Sequence, residues 1–161
     1  MFSSCAIRPE TNLAISFEIL KFKHTSGNET LEEIALSRQL KKDVFVTEDD
    51  PSLRFSIALA LERAHLIIDV SEDGAQAIGL LDSRTYSALV LDLRIPKIDG
   101  YGVVAHLKEH YPGTPAIIVT GRQPDELSGL DTSIVRNVLF KPLDLAKLVS
   151  QIKALCRPPK E

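Results

Sequence analysis

The stretch ALVLDLRIP at residues 88–96 runs four apolar residues directly into an acid and ends in a proline. An uninterrupted apolar run of this length is typical of a strand that is buried on both faces, as in a parallel sheet. Asp92 is therefore predicted to lie at the carboxyl end of a central strand, where open α/β sheets bind their ligands. The alternative is that Asp92 only caps the element that follows it.

Strand-like and helix-like patterns alternate on both sides of this stretch, over residues 43–156. Short loops join them, which predicts a doubly wound α/β fold with a five-stranded parallel sheet, right-handed crossovers and five helices. The segment 122–132 is predicted to be irregular or to hold a very short helix, because it contains Pro124 and Gly129. The predicted strands cover residues 44–47, 66–68, 88–91, 115–119 and 134–140, the last one with a bulge.

Length, composition and charge are those of one ordinary folded domain. The chain has 161 residues, of which 44% are hydrophobic and 25% charged, enough for a real core but not for a second domain. The net charge of −3 provides no basic surface for nucleic acid. Cys5 and Cys156 lack the spacing of a metal or redox motif and are expected to be free thiols in a reducing compartment. With no bilayer-spanning apolar segment and no signal peptide, the protein is expected to be cytoplasmic and without membrane contact.

Residues 1–42 are predicted to form an N-terminal extension of unknown role. A short strand at residues 13–19 and a short helix near residues 30–35 are predicted within it. The extension either packs on the domain or mediates contacts. A further alternative is that part of it is not made, because Met1 is the only methionine and translation can start at another codon nearer Val44.

Polar side chains follow four of the five predicted strands at the point where each strand ends. Glu48 and Asp49 come after the first strand, Asp92 ends the third, Thr120 the fourth and Lys141 the fifth. The carboxyl ends of parallel strands meet at one edge of a sheet, so these side chains are expected to lie together. Each has an ordinary explanation as a cap, a turn or a surface corner, but the coincidence of all of them favours a functional site.

The three carboxylates of this group need compensating positive charge. When they are about 5 Å apart, they repel one another by roughly 3 kcal/mol per pair at an effective dielectric constant of about 20. Lys141 supplies one positive unit and a divalent cation supplies the rest. Because the ligands are hard oxygens with no nearby His or Cys, Mg²⁺ is favoured over zinc or copper. The alternative is a raised carboxylate pKa with no metal at all.

Residues 43–156, about 70% of the chain, resemble the receiver domain of bacterial two-component response regulators, including the single-domain, chemotaxis-regulator-like members. The resemblance implies the flavodoxin-like receiver fold. Any one of its motifs is weak, but the ordered set with this spacing is highly specific. The motifs are VFVTEDDP at 44–51, LDLRIP at 91–96 followed by DG at 99–100, VTG at 119–121 and FKP at 140–142.

By this resemblance, Asp92 accepts a phosphoryl group from a histidine kinase or a histidine phosphotransfer protein. Thr120 is expected to hydrogen-bond a phosphoryl oxygen, and Lys141 to pair with the phosphate or with Asp92. Phosphoryl transfer depends mostly on positioning and charge neutralisation, which agrees with these residue types. The protein is then a self-phosphorylating and self-dephosphorylating switch in phosphorelay signalling rather than a turnover enzyme.

The resemblance also implies the ligands of a Mg²⁺ ion. Asp49 binds the ion directly and Glu48 directly or through water, while Asp92 and the backbone carbonyl of Arg94 complete the protein ligands. Glu48 stands where Asp is commoner in the family, which adds one methylene. Val138 stands where many receivers carry a switching aromatic, which argues against the usual relay from the threonine to that aromatic.

Only residues 157–161 follow Cys156, so we expect a short C-terminal tail and a single-domain receiver that signals through a partner protein. The face of the fifth strand and the last helix is a docking or homodimer surface by family analogy alone. The alternative is a degenerate receiver that acts as a non-phosphorylated protein-interaction scaffold. An aspartyl-phosphate hydrolase is disfavoured because Arg94 occupies the place of its second acid, and flavin binding because no Gly-rich loop follows the first strand.

Arg94 and Arg122 lie two residues beyond Asp92 and Thr120, where they are expected to flank a phosphoryl group. We predict that Arg94→Ala changes the rate at which the phosphorylated protein loses this group, because the variant removes a positive charge beside it. Intact mass spectrometry of the phosphorylated protein over time measures the rate. A decay time equal to that of the wild type contradicts the prediction.

Overall fold

The computed structural model describes residues 41–156, and the predictions for residues 1–40 and 157–161 lie outside the described residues. The described part contains one sheet, four α-helices and one 3-10 helix. Its first strand begins at Lys41, two residues before the predicted start of the domain. The elements are β1 (Lys41–Thr47), α1 (Pro51–Arg63), β2 (Ile68–Ser71), α2 (Gly74–Ser83), β3 (Thr85–Asp92), α3 (Gly100–His110), β4 (Ala116–Thr120), the 3-10 helix (Pro124–Leu127), β5 (Val135–Phe140) and α4 (Leu145–Cys156).

All neighbouring strands of the sheet run parallel, in the order β2-β1-β3-β4-β5. β3 lies in the centre and pairs with both β1 and β4, which places Leu91 beside Thr47 and Asp92 beside Val119. The strand order reverses between β1 and β3, and open α/β sheets bind ligands at such a switch point. The predicted doubly wound, five-stranded parallel sheet is confirmed.

β3 is buried on both faces because helices cover both sides of the sheet. Leu89 and Leu91 pack in one hydrophobic cluster with residues of α2 and α3, whereas Ala88 and Val90 pack in another with residues of α1 and α4. None of these four residues is more than 1% exposed. A fully buried Leu or Val contributes about 1.5–3 kcal/mol to the free energy of unfolding. The apolar run therefore holds Asp92 firmly at the centre of the sheet edge.

The fifth predicted helix is only the 3-10 helix Pro124–Leu127, so the described part has four α-helices and not five. Pro124 lies at its start, and Gly129 turns the chain with a φ of 100° two residues after its end. The segment between them is too short for an α-helix, and 3-10 geometry is usual in such short pieces. None of the helices within residues 41–156 has the length and apolar character needed to cross a membrane.

The second strand also differs from its prediction, since β2 begins at Ile68 and continues to Ser71. His65 adopts a φ of 63°, and the Leu66 N–H donates to the Leu61 carbonyl oxygen at 3.2 Å. These residues complete the end of α1 and are not available to the sheet.

β5 carries the predicted bulge. Ala116 pairs with Val135, but the next residue of β4, Ile117, pairs with Asn137, so Arg136 is the extra residue. A bulge bends and twists a strand locally. This bend precedes the residues that bring Lys141 to the sheet edge.

Gly74 and Gly79 lie in the same helix, α2, and provide a matched pair. A Cβ atom on Gly74 would lie 1.9 Å from the Ile98 carbonyl oxygen, whereas nothing outside the helix lies within 4 Å of a Cβ on Gly79. We predict that Gly74→Ala lowers the free energy of unfolding by about 1–3 kcal/mol, because the two backbones must move apart. Gly79→Ala is expected to raise it by about 0.5–1 kcal/mol. Urea denaturation measures both values, and equal stability of the two variants contradicts the close contact.

Candidate functional site

The carboxyl edge of the sheet brings together polar residues from the ends of four strands. Glu48 follows β1, Asp92 ends β3, Thr120 ends β4 and Lys141 follows β5. The Lys141 backbone N–H donates to the Thr120 carbonyl oxygen at 2.8 Å. This bond anchors the lysine beside β4, and its side chain extends from there to the carboxylates.

The Lys141 ammonium group joins two buried carboxylates. Its Nζ donates to Asp92 Oδ2 at 2.6 Å and to Glu48 Oε1 at 3.0 Å. The Glu48 side chain is 1% exposed and the Asp92 side chain 5%. Charge-assisted hydrogen bonds of this kind are roughly twice as strong as neutral ones. Lys141 thus neutralises part of the negative charge that the sheet edge collects.

The pKa values of Glu48 and Lys141 reflect this crowding of charge. Burial is the largest cause that raises the pKa of Glu48 above its ordinary value, and the hydrogen bond from Lys141 does not outweigh it. Burial also acts to lower the pKa of Lys141, but the hydrogen bonds and charges of Asp92 and Glu48 outweigh burial and raise it overall. Lys141 therefore stays cationic at neutral pH. Any further positive charge beside Glu48 would stabilise the ionised form of its carboxylate.

The acidic residues at this edge fit a hard divalent cation. Glu48, Asp49 and Asp92 can each present one carboxylate oxygen within 4.8 Å of the others. Glu48 Oε2 is buried and forms an ion pair with Lys141 Nζ at 2.9 Å. Asp49 is exposed, so a hydrated ion can reach the group. These donors suit Mg²⁺, which takes oxygen ligands and usually keeps several waters.

Arg94 contacts the site through both its backbone and its side chain. Its backbone N–H donates to Asp92 Oδ1 at 2.9 Å, so that with Lys141 on Oδ2 both carboxylate oxygens are oriented. The exposed Arg94 side chain places Nη2 3.2 Å from the position that a Cβ on Gly121 would take. Arg94 thus brings a positive charge to the loop after β4, besides the backbone carbonyl that the sequence singles out.

Thr120 is fully buried at the end of β4. Its Oγ1 accepts a hydrogen bond from the Arg122 backbone N–H at 3.1 Å. A hydroxyl group has one proton to donate and two lone pairs to accept with. The Thr120 hydroxyl proton is therefore not used in this hydrogen bond.

Arg54 holds the loop that carries Glu48 and Asp49, and sequence reasoning missed it. Its Nη1 donates to the Glu48 carbonyl oxygen at 2.6 Å and to the Asp49 carbonyl oxygen at 3.1 Å. The only signal in the sequence is the place of Arg54 near the start of α1, just after the N-cap Asp50. No local pattern predicts that its side chain turns back to the loop.

A second contact that sequence reasoning missed joins the loop after β3 to the loop after β2. Lys97 Nζ donates to Asp73 Oδ2 at 2.6 Å, and the Gly74 N–H donates to the Pro96 carbonyl oxygen at 3.1 Å. The hydrogen bonds from Lys97 and from the Gln76 N–H lower the pKa of Asp73. The position of Asp73 before α2 predicts that it caps the helix. No local sequence pattern predicts its contact with Lys97, which lies 24 residues later in the chain.

Comparison with protein families and curated proteins identifies the family to which this fold belongs. The family model described as the response regulator receiver domain matches residues 44–153. TcrA, a transcriptional regulatory protein of Mycobacterium tuberculosis, is 34% identical over 116 residues, which are 71% of this chain and 46% of that protein. The chain therefore spans about half the length of the curated relatives that it matches.

Solved receiver domains share the fold. The receiver domain of the Francisella response regulator 1452 gives a TM-score of 0.65 at 26% identity, covering 71% of this chain and 96% of that chain. TrrA from Thermotoga maritima, solved in complex with Mg(2+)-BeF, gives a TM-score of 0.64 at 24% identity, covering 71% of this chain and 98% of that chain. At this identity the comparison shows a shared fold alone. The family model covers most of the chain, and the matches to TcrA and to the Francisella receiver domain agree with it. This chain therefore belongs to the response regulator receiver domain family.

Proposed function

We propose that this chain is a phosphorylatable receiver of a two-component phosphorelay. Asp92 accepts a phosphoryl group from a histidine kinase or a histidine phosphotransfer protein in a Mg²⁺-dependent reaction, and the protein then signals through a partner protein. The observation that carries the proposal is the 2.6 Å ion pair between Lys141 Nζ and Asp92 Oδ2, beside Glu48 and Asp49. Phosphoryl transfer to an aspartate requires such a carboxylate nucleophile, a cation and acids that can bind a metal ion.

The transfer is an in-line displacement at phosphorus. A carboxylate oxygen of Asp92 forms a bond to the phosphorus atom while the bond from phosphorus to the donor histidine nitrogen breaks. The electron pair of the broken bond returns to the imidazole nitrogen, and an acyl phosphate remains on Asp92. The Arg94 N–H and the Lys141 ammonium orient the carboxylate for this attack.

Lys141 and Thr120 respond to the charge that arrives with the phosphoryl group. A phosphoryl group on a side chain carries a charge of roughly −1.5 to −2 at neutral pH. Lys141 already lies against Asp92 and can pair with the new oxygens without a large movement. The Thr120 hydroxyl donates its free proton to one of them.

Mg²⁺ would be held by Glu48, Asp49, Asp92 and the backbone carbonyl of Arg94. When bound, the ion supplies positive charge that neutralises the phosphoryl oxygens during transfer. The carboxylate oxygens of Glu48, Asp49 and Asp92 that lie within 4.8 Å of one another support an ion at this position. The raised pKa of Glu48 supports it as well, because that carboxylate lacks full compensation.

Incubation with acetyl phosphate and Mg²⁺ is expected to add one phosphoryl group to the wild-type chain and none to Asp92→Asn, because an amide is a poor nucleophile. Intact mass spectrometry measures the gain, with and without Mg²⁺. Asp99→Asn is the matched control, since it removes a nearby acid while Asn still caps α3. This control is expected to be phosphorylated as fully as the wild type.

Two outcomes of the mass measurement oppose the proposal. A wild-type chain that gains no mass from acetyl phosphate or from phosphoramidate favours the degenerate receiver that acts as a scaffold. A gain that persists in Asp92→Asn moves the phospho-acceptor to another residue.

Mg²⁺ is expected to stabilise the folded chain, because it binds a site that the unfolded chain does not form. The stabilisation is about 2.7 kcal/mol at a Mg²⁺ concentration about 100 times the Kd. Asp49→Asn is expected to lose most of it, whereas Asp50→Asn keeps it, since Asn also caps α1. Urea denaturation with and without MgCl₂ measures the effect. An equal response of the two variants rules out Asp49 as a ligand.

A further inference from the structure

Arg122, Tyr101 and Glu126 form a chain of contacts beside the proposed site, which we call the Arg122 latch. The guanidinium carbon of Arg122 lies 5.8 Å from the centroid of the Tyr101 ring, within the range of a cation–π contact. The Tyr101 hydroxyl donates to the Glu126 carbonyl oxygen at 3.2 Å. The latch therefore connects the loop after β4 with α3 and with the 3-10 helix Pro124–Leu127.

The latch begins next to the phospho-acceptor. Val119 in β4 pairs with Asp92 in β3, and Arg122 is the first charged residue that follows Val119 in the chain. The Arg122 backbone N–H donates to Thr120 Oγ1 at 3.1 Å. Any movement of the Thr120 hydroxyl therefore acts on the backbone that carries the Arg122 guanidinium.

The Arg122 side chain has a donor that the present contacts do not use. Its Nε is buried and makes no hydrogen bond within residues 41–156. A buried donor without an acceptor costs free energy, so the side chain gains when an oxyanion comes within reach. A phosphoryl group offers three strong acceptor oxygens, and guanidinium groups bind such oxygens through paired, charge-assisted hydrogen bonds. A tyrosine ring offers the same cation a weaker partner.

The 3-10 helix has few contacts of its own. Its residues are exposed except for Leu127, which packs partly against the core. The Gln123 N–H donates to Glu126 Oε2 at 2.9 Å, but this bond lies within the segment. In the described part of the chain, the hydrogen bond from the Tyr101 hydroxyl to the Glu126 carbonyl oxygen thus ties the 3-10 helix to α3.

We propose that Arg122 binds the phosphoryl group, and that the Tyr101 ring holds the Arg122 guanidinium until that group forms. This inference rests on the proposed phosphorylation of Asp92. When the phosphoryl group forms, the guanidinium leaves the Tyr101 ring for the phosphoryl oxygens. The 3-10 helix then keeps the Tyr101 hydroxyl but loses the Arg122 contact with α3, so residues 122–132 become less firmly held.

Hydrogen–deuterium exchange of the peptide covering residues 122–132 tests the latch in the full chain. In the wild type, acetyl phosphate with Mg²⁺ is expected to raise the exchange of this peptide several-fold, while the intact mass of the same sample reports phosphorylation. In Arg122→Gln the peptide is expected to exchange fast without any donor, and phosphorylation adds no further change. Tyr101→Phe keeps the ring and removes the hydroxyl, so it is expected to loosen the 3-10 helix while Arg122 stays in reserve.

Arg63→Gln is the matched control, because it removes an exposed arginine from the end of α1 that is remote from the site. It is expected to behave as the wild type does. A phosphorylated wild type whose 122–132 peptide exchanges no faster than before overturns the latch and leaves the proposed function intact. Equal exchange of Arg122→Gln and the wild type without donor also overturns it. A sample that gains no mass overturns both proposals.

Discussion

An ammonium group between two buried carboxylates is the interaction on which this structure depends. Lys141 reaches Asp92 and Glu48, which lie 49 and 93 residues earlier in the chain. Carboxylates about 5 Å apart repel each other by roughly 3 kcal/mol at an effective dielectric constant of about 20. The positive charge of Lys141, directly after β5, offsets this repulsion between Glu48 after β1 and Asp92 at the end of β3. When one partner of a buried pair is removed, the other charge is left uncompensated. The contact that stabilises the sheet edge therefore also orients the Asp92 carboxylate.

Around this contact the molecule has a rigid side and an adjustable side. On the rigid side, Arg54 binds the backbone of the loop after β1, and Lys97 fastens the loop after β3 to Asp73. On the adjustable side, Thr120 and Arg122 begin a loop whose residues are mostly exposed and whose 3-10 helix buries none of its side chains fully. The proposed phosphorylation switch would use both sides, because the proposed nucleophile must stay fixed while another segment changes position with the charge.

Local patterns predict an element well where one residue type excludes the alternatives, and poorly where backbone conformation decides its end. The apolar run at 88–91 is typical of a strand covered on both faces, and the structure has β3 there. The positive φ of His65 lets the following residue close α1, so β2 starts later than its apolar residues indicate. Pro124 and Gly129 predict an irregular segment or a very short helix at 122–132, and the structure has the four-residue 3-10 helix Pro124–Leu127 there.

The sequence by itself determined the alternation of strands and helices, and with it the parallel sheet, because apolar periodicity is a local property of the chain. It also determined which polar residues share the carboxyl edge, since the ends of parallel strands coincide there. Only the tertiary structure decided which of them touch, because a distance between side chains on different strands depends on register, rotamer and loop path, and no local pattern carries it. The contacts decided in this way are Lys141 with Asp92 and Glu48, Lys97 with Asp73, Arg54 with the loop after β1, and Arg122 with Tyr101.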